Sequence, residues 1–156
     1  MGDSLRDEFQ ALIKPVTDFI GDRNLDESLG LDLNQIFPAT SLEFKAIESA
    51  CGIAIKDGWM CKYEADGIRY GRVIKPSDDL NGYSVDVVDM ENTRGPHHRH
   101  PRGEIDMVMP NQGDALFDGQ AAGWKVYASG SAHYPTVTGG RALVLYLLPA
   151  GEIEFT

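Results

Sequence analysis

The spacing of apolar residues changes once along these 156 residues, and that change limits the fold more than any other feature. In the first fifty-odd residues apolar positions recur every three or four. Leu5, Phe9, Leu12, Ile13, Val16, Phe19 and Ile20 make one stripe of an amphipathic helix. Pro15 lies inside the stripe and is expected to kink or divide it. A second helix is expected from about Thr40, where Thr40 and Glu43 have the spacing of a capping box, through Phe44, Ile47 and Ala50 to about Gly52. After Gly58 the period falls to two. Segments 59–65 and 68–74 flank Asp66-Gly67, a strong signal for a two-residue hairpin turn. Segments 83–90, 104–109, 114–117, 123–127, 133–137 and 141–148 follow, separated by Gly, Pro, Asn and Asp. Short, closely spaced strands of this kind build an all-β sandwich or barrel of the jelly-roll type. The expectation is a mainly β, single-domain chain: a helical segment over 1–57 packed on a barrel over 58–156. No internal repeat is visible, so there is one barrel.

Two strands say how they pack. Segment 141–148 is apolar on both parities, which predicts burial on both faces. Along 104–109, Glu104, Asp106 and Val108 share one face, while Ile105, Met107 and Met109 share the other. The polar face should line the barrel. The apolar face needs a cover, either the N-terminal helices or a second subunit, and a homodimer is expected on that ground.

Charge narrows the partners. There are 14 basic against 24 acidic residues, a net −10. Such a surface repels nucleic-acid phosphates and anionic membranes alike. An anionic substrate would need a local cation. The longest apolar run, 142–149, is of strand length and too short to span a bilayer. Cys51 and Cys61 do not have a metal-finger spacing, and no secretory leader is recognisable. Free thiols and a cytoplasmic location are therefore expected.

The segment Gly95-Pro96-His97-His98-Arg99-His100-Pro101-Arg102-Gly103-Glu104 carries the chemistry. His98 and His100 are two apart and project to the same side of a strand. Glu104 has the same parity, after a Pro-Arg-Gly bend that can turn its carboxylate back. Two imidazoles and a carboxylate suit a divalent transition metal, whether iron, manganese, nickel, cobalt, copper or zinc. A fourth donor should come from another strand, and His133 is the candidate. Three of the four histidines fall in 97–100, a density that scattered surface histidines would not produce. His97 has the wrong parity for a ligand, and Arg99 and Arg102 read as solvated loop residues.

These residues resemble the cupin motifs: His98-x-His100, three residues, Glu104, and later Gly130-x-x-His133. Ala128 and Ser129 stand where the second motif has a proline, and Val137 where it closes on Asn. Neither departure touches a ligand. The N-terminal Phe-Gln-Ala-Leu-Ile, the segment His97 to Met109, and Gly123-Trp124-Lys125-Val126-Tyr127 through His133-Tyr134-Pro135-Thr136-Val137 resemble the bacterial 4-hydroxylaminobenzoate lyase family over nearly the full length. That resemblance implies conversion of 4-hydroxylaminobenzoate to 3,4-dihydroxybenzoate and ammonia, a step of nitrobenzoate degradation.

The residues can be read against that chemistry. Water enters and ammonia leaves, so no flavin or nicotinamide is required, and no dinucleotide or phosphate-binding glycine pattern occurs. A metal would weaken the N–O bond. Glu104, Asp106 and Tyr134 are the acid–base candidates, although parity turns Tyr134 away from the His133 side. A substrate carboxylate needs a cation. Arg72 is the candidate, on a strand face shared with Tyr70, Ile68 and Ile74; a pairing with a nearby acid is the competing role. Alternative activities are a metal-dependent cupin dioxygenase or isomerase, or a small-molecule-binding cupin without catalysis.

Overall fold

The computed structural model describes residues 2–156. Three helices come first: α1 (Gly2–Ile20), α2 (Glu27–Ile36) and α3 (Leu42–Lys56). Helix α1 runs through Pro15 without dividing. Phe9, Ile13, Val16 and Ile20 are buried along its length, and this tertiary packing outweighs the loss of one backbone donor. Helix α2 was not expected. Asp26 caps it by accepting from the Leu29 N–H at 2.9 Å, and Leu29 and Leu33 are buried. Helix α3 starts one residue later than the spacing of Thr40 and Glu43 suggests, since Ser41 is the cap, accepting from the Phe44 N–H at 3.1 Å. It also passes Gly52, whose open side leaves it free to remain helical, and ends at Lys56.

Nine strands follow: β1 (Tyr63–Ala65), β2 (Ile68–Ile74), β3 (Tyr83–Arg94), β4 (His98–His100), β5 (Glu104–Phe117), β6 (Gly123–Tyr127), β7 (Ser131–His133), β8 (Thr136–Pro149) and β9 (Glu154–Phe155). A six-stranded antiparallel sheet has the order β1-β2-β3-β8-β5-β6, and a three-stranded one has β7-β4-β9. The β1–β2 turn is Asp66-Gly67, with φ of 53° and 79°, the left-handed pair a tight hairpin requires. The first strand is shorter than its apolar pattern: Trp59 and Met60 lie in turns, Trp59 packing edge-on against Phe9. Segments 104–109 and 114–117 are one strand, β5, bent by register shifts between Pro110 and Leu116. Strand β8 likewise runs through Gly139-Gly140 and joins two expected strands into one.

Two apolar clusters divide the molecule. On the outer face of the large sheet, Ile105, Met107, Met109, Leu143, Leu145 and Leu147 pack with Phe9, Ile13, Leu29, Leu33 and Phe44. The helices therefore cover the face that suggested a second subunit; Ile105 and Met107 have no exposed surface. On the inner face Val108, Phe117, Val137, Val144, Tyr146 and Leu148 fill the barrel. Strand β8 contributes to both, as its apolar parities require. Helix α2 also closes the edge strand β6. Asn34 accepts from the Trp124 N–H at 2.8 Å and donates to the Trp124 carbonyl at 2.9 Å, standing in for a further strand. Gly123 (φ 141°) is required there, because a Cβ would fall 2.6 Å from Asn34 Oδ1.

Candidate metal centre and substrate cavity

Strand β4 pairs with β7 so that His98 lies opposite His133 and His100 opposite Ser131. Both β4 histidines point into the barrel and are buried. The bend after His100 is fixed by the Gly103 N–H donating to the His100 carbonyl at 3.1 Å. Glu104, the first residue of β5, then returns its carboxylate to the same point. His98 Nε2 lies 3.5 Å from Glu104 Oε1, His100 Nε2 3.3 Å from the same oxygen, and His133 Nε2 3.8 Å from Oε2. One donor atom from each of His98, His100, Glu104 and His133 lies within 4.8 Å of all the others. The four expected ligands thus converge.

The donor set fits a divalent metal on three observations. His100 Nε2 and both Glu104 oxygens are buried with no hydrogen-bond partner, although buried polar atoms of native proteins nearly always find one. Asp118 Oδ2 lies 2.6 Å from His133 Nδ1, and Ser131 Oγ lies 2.9 Å from His100 Nδ1. Engaging each Nδ1 from outside leaves the Nε2 lone pairs for the centre, as the outer partners of metal-bound histidines do. The His98 and His133 Nε2 atoms lie 3.1 Å apart, a close approach that a shared cation accommodates. Among the described residues, such outer partners are found for His133 and His100 but not for His98.

Electrostatics agree with this geometry. Burial, with His98 and His133 beside it, pushes the His100 imidazole down to about 4 against the pull of Glu104, so it is a neutral donor near pH 7. Burial acts to raise Glu104, but His98 and Asp106 beside it, with His100, outweigh that and hold the carboxyl below its ordinary value. Asp106 goes the opposite way. It is fully buried, and desolvation together with the Glu104 charge raises it well above the usual carboxylate range. Asp118 is held low despite burial by its bonds to His133 and Tyr127, and also accepts from the Thr136 N–H at 2.9 Å.

A cavity of about 770 Å³ meets the centre at His98. Its wall carries Tyr70, Arg72, Arg94, Tyr134, Tyr146 and Phe155. Arg72 is there as expected, but its guanidinium is engaged: Nε donates to Asp86 Oδ1 at 2.8 Å, and Nη2 to Oδ2 and to the Gly151 carbonyl, both at 3.1 Å. Tyr134 is half-exposed on the cavity wall, as its parity requires, and not among the ligands. Asp106 is near Glu104 on the barrel side and does not line the cavity. His97 pairs with Thr156 and packs on Tyr134, outside the cluster. Arg99 and Arg102 pair with Glu154 and Glu152 on the surface.

Sequence reasoning missed Asp118, Ser131 and Arg94. Asp118-Gly119 is a turn dipeptide and read only as punctuation; its bond to His133 depends on β5 and β7 meeting. Arg94 stands just before the motif, and nothing in its neighbours marks it.

A jelly-roll barrel closed around three histidines and a glutamate defines a cupin with a metal-type centre. The sequence profile described as 4-hydroxylaminobenzoate lyase (PnbB) matches residues 11–155, and the chain belongs to that family. A 4-hydroxylaminobenzoate lyase of Nocardioides sp. (strain LMS-CY) is 33% identical over 150 residues, spanning 90% of this chain and 89% of the relative. One from Pseudomonas putida is 29% identical over 167 residues, spanning 96% and 95%. Among solved structures, an oxalate oxidase in complex with glycolate overlaps with a TM-score of 0.45 and 23% identity, over 60% of this chain and 57% of that one.

Proposed function

We propose that this protein converts 4-hydroxylaminobenzoate and water to 3,4-dihydroxybenzoate and ammonia. The observation that carries the reading is the meeting of a four-donor cluster with an aromatic-walled cavity at His98, in a chain of this family. The balance needs no external electrons: the N–O bond breaks with its oxygen leaving as water, one water adds at the neighbouring ring carbon, and a second hydrolyses the resulting imine to release ammonia, a net uptake of one water. His98, His100, Glu104 and His133 would hold one divalent transition metal, which supplies a Lewis acid for the hydroxylamino oxygen.

Other residues supply positioning and protons. Tyr70 and Phe155 line the cavity that would take the aromatic ring. Asp106, raised well above the usual carboxylate range by burial and the Glu104 charge, is the acid–base candidate within the barrel; Tyr134 is the candidate on the cavity side. Glu104 serves chiefly as a ligand. We place the reaction in nitrobenzoate breakdown and in the cytoplasm; no helix among the described residues is long and apolar enough to cross a membrane. A homodimer would have to use surface other than Ile105, Met107 and Met109. Leu31, Leu42 and Ile53 are exposed on the helices and support such a contact, which light scattering would test.

The deciding experiment is ammonia release from 4-hydroxylaminobenzoate without O2 or reductant, with metal content measured on the same sample. Catechol and ammonia in equal amounts are expected. No ammonia from a metal-replete sample would overturn the reading, and O2 consumption in its place would favour the dioxygenase.

A further inference from the structure

The cavity holds two guanidinium groups, and only one is engaged by an acid. Arg72 is paired with Asp86 through Nε and Nη2 and also donates to the Gly151 carbonyl. Arg94, the last residue of β3, lies with its Cζ 4.5 Å from the centroid of the Tyr134 ring. Among the described residues no carboxylate is paired with Arg94. A cation–ring contact consumes none of the guanidinium N–H groups, which can grip a carboxylate with two parallel hydrogen bonds. Of the acids in the wall, Asp86 is paired with Arg72, and Asp66 is on the exposed hairpin turn. With a net charge of −10, the protein's overall field disfavours an anionic ligand, so a local cation has to recruit it.

We infer that Arg94, held over the Tyr134 ring, is the anchor for the carboxylate of an aromatic ligand in this cavity, and that Arg72 is not. The wall beyond Arg94 is Ile68, Val88, Met90, Ile153 and Phe155, which suits a ring, and His98 borders the same space. A ring held by its carboxylate at Arg94 would share this cavity with His98. The identity of that ligand as 4-hydroxylaminobenzoate rests on the lyase reading; the anchor itself does not.

Calorimetry with 4-aminobenzoate and aniline, both unreactive, isolates the carboxylate. Wild-type protein should prefer 4-aminobenzoate, and Arg94→Ala should shrink that preference at least about ten-fold, the weight of one charged hydrogen-bonded contact near a surface. Arg94→Lys should fall between, keeping the charge without the fork. Circular dichroism checks each fold, and Arg94→Gln carries the same readout should Arg94→Ala not fold. An undiminished preference in a folded Arg94 variant overturns the anchor. So does a wild-type protein that does not bind 4-aminobenzoate, or a preference lost in Arg72→Met but kept in Arg94→Ala. Ammonia release is read separately: ligand bound through Arg94 without turnover would remove the lyase and keep the anchor.

Discussion

Asp118→Asn is the sharpest probe of the centre, because it changes one atom type and leaves the shape. Asp118 Oδ1 accepts from the Thr136 N–H at 2.9 Å, and an amide oxygen in that place still can. At Oδ2 the consequences differ. That oxygen accepts from the Tyr127 hydroxyl and lies 2.6 Å from His133 Nδ1. An amide NH2 there is a donor, so His133 Nδ1 must become the acceptor and the ring proton moves to Nε2. Nε2 is the atom that faces His98 at 3.1 Å and Glu104 at 3.8 Å. The variant therefore turns one of four metal donors into an N–H pointing at the metal. Binding must either restore the tautomer against an unpaired amide or proceed with three donors. Loss of such an outer partner typically weakens metal binding about 10–100-fold, or roughly 1.4–2.7 kcal/mol. Competition of cobalt(II) against a chromophoric chelator measures it, with His133→Ala as reference. Asp118→Asn added to His133→Ala should weaken binding little further, because the two act through one ligand. Cobalt affinity within about three-fold of wild type would refute the tautomer argument, since the smallest effect expected of such a partner is about 10-fold.

Two further outcomes follow from the cluster. His98→Ala and His100→Ala should lose most of the metal that purifies with the wild type, read by elemental analysis; full occupancy in His100→Ala would end the four-donor assignment. In metal-stripped protein, His100 should weaken the fold as pH falls. Its native value of about 4 lies below the ordinary 6.5, so the unfolded chain takes up the proton first, and stability present above pH 6.5 is lost between there and 4. The stability difference between wild type and His100→Ala should shrink by about 2 kcal/mol from pH 7.5 to 5 in urea titrations, and a constant difference would contradict it. Taking the difference removes the opposing contribution of Asp106, which is common to both proteins.

The parts of the fold legible in the sequence are those set by short-range periodicity. The pleat repeats every two residues, so Ile105, Met107 and Met109 had to share a face, and the structure puts them together against the helices. Which cover they would meet was not in the strand itself. It depended on α2, whose buried stripe is only Leu29 and Leu33 around Gly30, too narrow to stand out from a loop. Strand ends were misread for a related reason. Pro110, Gly113 and Gly139-Gly140 look like breaks, yet each lies where β5 and β8 shift register and keep pairing. A bend inside a ladder and the end of a strand use the same residues.

The metal ligands were legible because His98, His100 and Glu104 are held by local geometry, with only His133 arriving from afar. Their supporting residues are all long-range. Ser131 meets His100 through the register of β7 on β4, and His133 meets Asp118 fifteen residues away. The same distinction bears on what the centre is for. Glu104 and Asp106 sit two apart on one buried face, with four carboxylate oxygens that have no hydrogen-bond donor. Two uncompensated charges there would cost several kcal/mol each. Burial and the Glu104 charge raise Asp106 well above the usual carboxylate range, which lowers one of those costs. Against its burial, Glu104 is held below its ordinary value by His98 and Asp106 beside it, while His100 is neutral near pH 7 and offers a lone pair rather than a proton. Three imidazole nitrogens and an unpartnered carboxylate need a positive centre between them. A divalent cation meets that need without removing the donors from the geometry in which the strands hold them.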